Sequence, residues 1–176
     1  MEKYHEGIIA LSACLAGEVP RYLTKGMYEE AKDRALEYQE IFGKGNYFLE
    51  LQDHGIPDQQ LVNQQLMKLS QETGIELVAT NDVHYTYADD EKAHDILLCI
   101  QTGKKLSDEN RMRYEGGQYY LKSEEEMQKV FPYAREAMDN THKIAERCNV
   151  EIVFGEQKVP KFDVPEGYEK TIKAEK

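Results

Sequence analysis

A chain of 176 residues, 40% apolar and 31% charged, is long enough to bury a core of its own or to form part of a larger domain. Its formal charge of -11 argues against a protein that grips nucleic acid through its own surface, because such affinity rests on Lys and Arg neutralising phosphates. No apolar run approaches a membrane span, the first residues lack the apolar stretch of a secretory signal, and Cys14, Cys99 and Cys148 are too scattered for a disulfide framework or a Cys-x-x-Cys metal site; the default expectation is a cytoplasmic chain with no membrane partner.

In chain order, Gly7 to Cys14 is a short apolar run with β-branched residues that ends in small ones, which predicts a buried strand with a tight exit. Met27, Ala31, Ala35, Tyr38 and Phe42 then recur at spacings of three and four, predicting an amphipathic helix that Gly43 ends. Tyr47 to Leu51 reads as a second strand, followed by a loop, Gln52 to Pro57, punctuated by Gly55 and Pro57. Asp58 can cap a helix reaching about Thr73, with Val62, Leu66 and Leu69 as its buried stripe and Gly74 as its stop. The third strand, Glu76 to Thr80, runs into Asp82 and His84. Asp89, Asp90 and Glu91 favour the start of a helix that carries Ala93, Ile96, Leu97 and Ile100. Strands alternating with helices predict an α/β fold with parallel strands and right-handed crossovers, in an open sheet or a barrel.

The pattern changes after Gly103. Residues 104 to 118 are polar and Gly-bearing and predict a long loop, in which Lys104, Lys105, Arg111 and Arg113 read as solvated. Tyr119 to Leu121 reads as a short strand, and Ser123 to Glu126 as a capping box that opens a helix anchored by Met127 and Val130 before Pro132. A further helix from Ala134 to Cys148 shows Ala137, Met138, Thr141, Ile144, Ala145 and Cys148 on one side. From Val150 on, Pro160, Pro165 and Gly167 predict an extended, poorly packed tail, and the lack of a closing element before Lys176 suggests a boundary inside a longer polypeptide.

Candidate chemistry collects at the strand ends. Asp82 and His84, two residues apart, leave a strand on one face and can point at one ion; carboxylate with imidazole suits zinc, manganese or iron. The plain alternative is that Asp82 caps a turn and His84 is a partly exposed aromatic. Cys14 ends the first strand, and Glu50 and His54 lie at and just past the end of the second. Parallel neighbours end at one face, so all of these can converge. Each also has a plain reading: Cys14 as a small buried hydrophobe, Glu50 as a solvated or paired acid, His54 as a loop histidine. Asn81 and Tyr85 are candidate partners for the second ring nitrogen of His84. His5, His94 and His142 fall on helix faces or a terminus, where structural or solvated roles are expected.

Gly7 to Glu18 (Gly-Ile-Ile-Ala-Leu-Ser-Ala-Cys-Leu-Ala-Gly-Glu), Tyr47 to Gly55 (Tyr-Phe-Leu-Glu-Leu-Gln-Asp-His-Gly), Ala79 to Tyr85 (Ala-Thr-Asn-Asp-Val-His-Tyr) and Asp90 to Gly103 together resemble the PHP domain of bacterial DNA polymerase III alpha subunits, and the likeness continues through Phe131 and the helix after it. The resemblance implies a distorted TIM-like barrel that can hold a cluster of divalent metal ions, linked in metal-binding members to 3′–5′ exonuclease or related phosphoester hydrolysis. Asp82 and His84 match the final Asp-x-His ligand pair of the family, Cys14 resembles a ligand from an earlier strand end, His54 is a further candidate ligand, and Glu50 and Asn81 stand behind them. The family's opening His-x-His and Thr-Asp-His motifs are missing, and a full barrel takes ~250 residues.

Residues 1–103 therefore resemble the second half of the PHP barrel, 104–122 a connecting loop and short strand, 123–150 a helical segment leading toward the polymerase palm, and 151–176 an extended tail. The parent implied is a DNA-directed DNA polymerase that uses Mg, acts on DNA and works with a proofreading exonuclease and a sliding clamp. This fragment, without the palm carboxylates, is expected to be inactive alone. Two other readings stand beside it: a non-catalytic scaffold for stability and docking of a separate exonuclease, and a stand-alone phosphatase, against which the 104–118 loop and the helices after it argue. Half a barrel exposes parallel edge strands and apolar surface, so the isolated chain is expected to associate.

Overall fold

The computed structural model describes residues 2–156. In chain order the elements are β1 (Ala10–Leu11), α1 (Glu18–Thr24), α2 (Tyr28–Phe42), β2 (Tyr47–Leu51), α3 (Pro57–Thr73), β3 (Leu77–Ala79), a 3-10 turn at Ala88–Asp90, α4 (Glu91–Thr102), α5 (Glu124–Val130) and α6 (Arg135–Arg147). The strands form one parallel sheet in the order β1-β2-β3, with Ala10 beside Tyr47 and Leu49 beside Leu77. Among the described residues this is an α/β fold with six α-helices. All of β2 is buried, as a strand without polar alternation in the middle of a sheet requires.

β1 is shorter than its apolar run predicts. Gly7 (φ 73) and Ala13 (φ 64) both take left-handed conformations, so the chain bends away before and after the two paired residues. Leu11 stays exposed, because β1 is an edge strand with a neighbour on one side only among the described residues. α1, unanticipated in the sequence, accepts Pro20 within its first turn, where a missing N–H breaks no helical bond. It buries Val19 and Leu23. α2 packs against α1 with the small residues Ala31 and Ala35 inward. α3 buries Val62, Leu66 and Leu69 as its spacing predicts, and ends at Gly74 in the left-handed conformation.

The helices after the loop close the same core. Ser123 accepts the Glu126 N–H on its hydroxyl and donates its own N–H to Glu126 Oε2 at 2.8 Å, the reciprocal cap read from the sequence. Met127, Phe131, Ala134 and Ala137 join Leu49, Leu51, Leu66 and Leu69 in one apolar cluster. α6 lies along β3, where the buried Asn140 donates from Nδ2 to the Leu77 carbonyl at 2.8 Å. The face expected of α6 is only partly covered: Ala137 is buried and Met138 packs on the core, whereas Thr141, Ala145 and Cys148 are exposed and the unforeseen Asn140 is inside. Val150, Ile152 and Phe154 are exposed and non-helical. Pro160, Pro165 and Gly167, on which the expectation of an extended tail also rests, lie outside the described residues. No helix among the described residues is long and apolar enough to cross a membrane.

Candidate metal-binding site at the strand ends

Glu50 ties the three strand exits together. Its own N–H donates to Ser12 Oγ at 2.8 Å, its Oε2 accepts the Ala13 N–H at 3.1 Å, and its Oε1 accepts Gln52 Nε2 at 3.0 Å and the Thr80 hydroxyl. The carboxylate is buried, and its bond to Ala13 holds that residue in a conformation that costs an L-residue about 1–2 kcal/mol. Cys14 follows at once and is exposed, not the buried hydrophobe of its plain reading.

His54 leaves the end of β2 and is locked on both sides. Gln59 accepts the His54 N–H on Oε1 at 2.8 Å and donates from Nε2 to His54 Nδ1 at 2.9 Å, while His54 Nε2 donates to the Asn81 carbonyl at 2.9 Å. The bonds fix the neutral tautomer with the proton on Nε2 and leave no ring lone pair for an ion. Asn81 is equally committed. Its Nδ2 donates to the carbonyls of Gln118, at 3.3 Å, and Tyr120, and its Oδ1 accepts Lys122 Nζ at 3.2 Å. Burial pushes the Lys122 ammonium below its ordinary pKa.

β3 delivers Asp82 and His84 through a left-handed residue, Asp82 at φ 45, a conformation a short polar side chain tolerates. His84 Nδ1 donates to the Asp82 carbonyl at 2.7 Å, and Asp82 Oδ1 lies 3.9 Å from the same nitrogen. That bond leaves the Nε2 lone pair free whenever the ring is neutral. The partner of His84 is thus the backbone of Asp82 and neither Asn81 nor Tyr85; the Tyr85 ring instead faces His94, 5.4 Å between centroids.

The segment from 104 to 122, expected as a polar loop over 104–118 followed by a short strand at Tyr119–Leu121, forms the wall of this site, the strand being reduced to one bridge at Tyr120. The Tyr119 carbonyl accepts the N–H groups of His84 at 2.8 Å and Tyr85 at 3.3 Å, and Tyr85 bridges to Tyr120 in parallel. Arg111 is paired, not solvated: its side chain is 3% exposed and grips both Asp95 oxygens, through Nη1 and, at 2.7 Å, through Nη2. Around His84 stand Tyr114 at 4.2 Å, His94 at 5.5 Å and Tyr119 at 5.7 Å between ring centroids. Burial first, and then the charge of Asp82, raise the Tyr119 phenol above its ordinary pKa, with Cys14 adding to the effect. From the sequence His94 reads as structural or solvated and Tyr119 only as the start of a short strand, while Tyr114 is not singled out; the clue available was a run of tyrosines in an otherwise polar stretch.

Of the four candidate ligands, then, Asp82 and His84 are a pair, Cys14 is exposed just past the exit of β1, on the far side of β2 from them, and His54 stacks on Tyr119 with both nitrogens engaged. Among the described residues no three His, Cys, Asp or Glu side chains are gathered so as to hold a metal ion. A groove of about 960 Å³ between α5 and α6, lined by Met127, Phe131, Arg135 and His142 among others, contains none of the candidate ligands.

Known proteins resemble this chain in sequence along most of its length. Residues 1–54 match the PHP domain. The chain is 45% identical over 166 residues to the DNA polymerase III subunit alpha of Borreliella burgdorferi, an alignment covering 94% of this chain and 14% of that protein. It is 45% identical over 173 residues to the subunit of the same name from Deinococcus radiodurans (95% of this chain, 13% of that protein), and 38% identical over 173 residues to that of Thermus aquaticus (95% and 14%). The chain thus spans about 14% of the length of these curated relatives. Residues 1–54 are thus PHP-domain sequence, and nearly the whole chain is a homologue of one segment of DNA polymerase III alpha subunits.

Proposed function

We propose that this segment contributes part of a divalent-metal site for phosphodiester cleavage within a DNA-replicating polymerase. The observation that carries the reading is His84, whose Nδ1 is fixed on the Asp82 carbonyl so that Nε2 has no hydrogen-bond partner among the described residues, on a ring whose Nδ1 lies 3.9 Å from the exposed Asp82 carboxylate. Asp82 and His84 would hold the ion, with Cys14 as a donor from the exit of β1, across β2; the remaining donors come from other polypeptide or solvent. His54 fits the frame behind the donors better than the donor set itself, since its nitrogens already serve Gln59 and Asn81. A bound zinc, manganese or iron ion supplies a water of lowered pKa and takes up charge on the phosphate oxygens. Glu50 keeps the Ala13–Cys14 loop in place, and Asn81 fastens the 118–122 segment over the exit of β3.

The same proposal extends to architecture and setting. Residues 1–103 form an arc of a distorted TIM-like barrel, 104–122 connect it to the helices of 123–150, and the chain from 151 leads toward the palm of a polymerase that uses Mg. Its partners are DNA, a proofreading exonuclease and a sliding clamp, and its place is the cytoplasm. The engagement of His54 favours one rival, a scaffold without metal that serves stability and docking. Elemental analysis of the full-length polypeptide, with and without His84→Ala, separates the two. Bound zinc, manganese or iron that is lost in the variant, together with loss of hydrolysis of a 3′-labelled single strand, is the expected result. A wild-type protein free of metal, whose melting is indifferent to chelators, leaves the scaffold reading in its place.

A further inference from the structure

One residue touches both histidines that follow the strand ends. Tyr119 is 7% exposed and its ring lies flat on His54, 4.1 Å between centroids and 8° between planes. It meets His84 edge-on at 5.7 Å and 90°, and Tyr114 edge-on at 4.9 Å and 87°. Its carbonyl accepts the His84 N–H at 2.8 Å, so the same residue sets the backbone of His84 and bounds its ring. The single bond from His84 Nδ1 to the Asp82 carbonyl fixes the tautomer but leaves the ring free to pivot about that contact. Tyr119, Tyr114 and His94 are the rings that surround it.

We propose that Tyr119 is the positioning residue of the strand-end site: held against the immobilised ring of His54, it fixes the direction in which the Nε2 lone pair of His84 points. The inference rests on Asp82 and His84 being metal donors, as proposed above. His54 acquires a purpose in it that coordination does not supply, since Gln59 and Asn81 make it a rigid backing for the tyrosine. The Tyr119 hydroxyl has no hydrogen-bond partner among the described residues, so the ring is the device and phenylalanine should replace it.

The test uses the 176-residue chain with Tyr119→Phe and Tyr119→Leu variants, histidine-ring NMR and Mn²⁺ as the probe. In wild type and Tyr119→Phe, the His54 ring protons should be shifted upfield by the stacked ring, and Mn²⁺ should broaden His84 at the same concentration. In Tyr119→Leu the His54 shift should collapse, and roughly tenfold more Mn²⁺ should be needed, the usual penalty for losing a group that orients a ligand. Leucine without any change in Mn²⁺ dependence overturns the proposal, and so does phenylalanine behaving like leucine, which would make the hydroxyl the active part. If leucine prevents folding, Tyr119→Met takes its place. Failure of Mn²⁺ to broaden His84 in the wild type removes the claim that Asp82 and His84 hold an ion without the further donors of a longer polypeptide, a claim distinct from the metal content of the full-length protein. The side-chain couplings of His84 then decide: one rotamer in wild type and phenylalanine with averaging in leucine sustains the orienting role, and averaging in all three removes it.

Discussion

Helices α3 and α4 follow the same plan and meet different fates. Each comes after a strand, carries an apolar stripe and ends at a left-handed glycine, Gly74 or Gly103. α3 spends its stripe inside the molecule, with Val62, Leu66 and Leu69 buried in the common core. α4 buries Leu98 and Cys99 but leaves Ile96, Leu97 and Ile100 exposed at 47%, 61% and 73%. Its other side is used by the site: His94 stands near His84, and Asp95 holds Arg111. An amphipathic pattern therefore states that a face must be covered without saying by what. For α3 the sheet of this chain answers; for α4 nothing among the described residues does.

The sharpest way to probe the buried side of that contrast is Phe131, 1% exposed at the end of α5 and in the same cluster as the α3 stripe. Phe131→Ala should cost about 3–5 kcal/mol, read as a lowered urea midpoint in one cooperative transition followed by both far-ultraviolet and tyrosine signals. A loss confined to a separate, earlier transition would show instead that α5 and α6 fold independently of the sheet, and the packing of Asn140 onto Leu77 would then be incidental to stability.

How far the sequence carried these conclusions follows from the range of the interactions involved. β2 and α3 were legible because their signals are local: five consecutive residues without polar alternation outside Glu50, and a stripe repeating every three or four residues. The Ser123 cap was legible for the same reason. α1 was not, since seven residues containing Pro20 are too few to show a period. In the site, Asp82 and His84 stood out because they are neighbours in sequence, whereas the locking of His54 depends on Asn81, 27 residues away, and the Tyr119 wall on the return of a long polar segment. Periodicity carries no information about such a return. The charge of Arg111 likewise suggested solvent until the fold brought Asp95 to it.

The Arg111–Asp95 pair tests whether α4 truly anchors the wall of the site. Hydrogen bonding from Arg111 holds the Asp95 carboxyl below its ordinary pKa, so the sign is that of a depressed acid. Its contribution to stability is complete above the unfolded value, about pH 4, and is lost as pH falls through the lower folded value. Asp95→Asn should flatten the acid limb of a plot of urea midpoint against pH while leaving its shape near neutrality unchanged. An unaltered acid limb would mean that the pair adds nothing that the 104–122 segment needs, and the wall would then rest on the backbone bonds of Tyr119 and the Asn81 bracket alone.

The smallest expected effect on stability falls on the exposed side of the comparison. Leu97→Gln with Ile100→Gln removes apolar surface from α4 without touching the net charge, and because neither residue is packed the pair should change unfolding free energy by no more than ~0.5 kcal/mol per site. Association should respond far more. Exposed apolar helix faces and an open parallel strand edge are both adhesive, so sedimentation of the wild type should show concentration-dependent self-association that the double variant reduces. The two readouts must separate for the comparison with α3 to hold. A wild type that sediments as a monomer at every concentration would show that the stripe is not adhesive, and a variant that loses several times the expected stability would show that these side chains are packed in solution, making α4 a second α3.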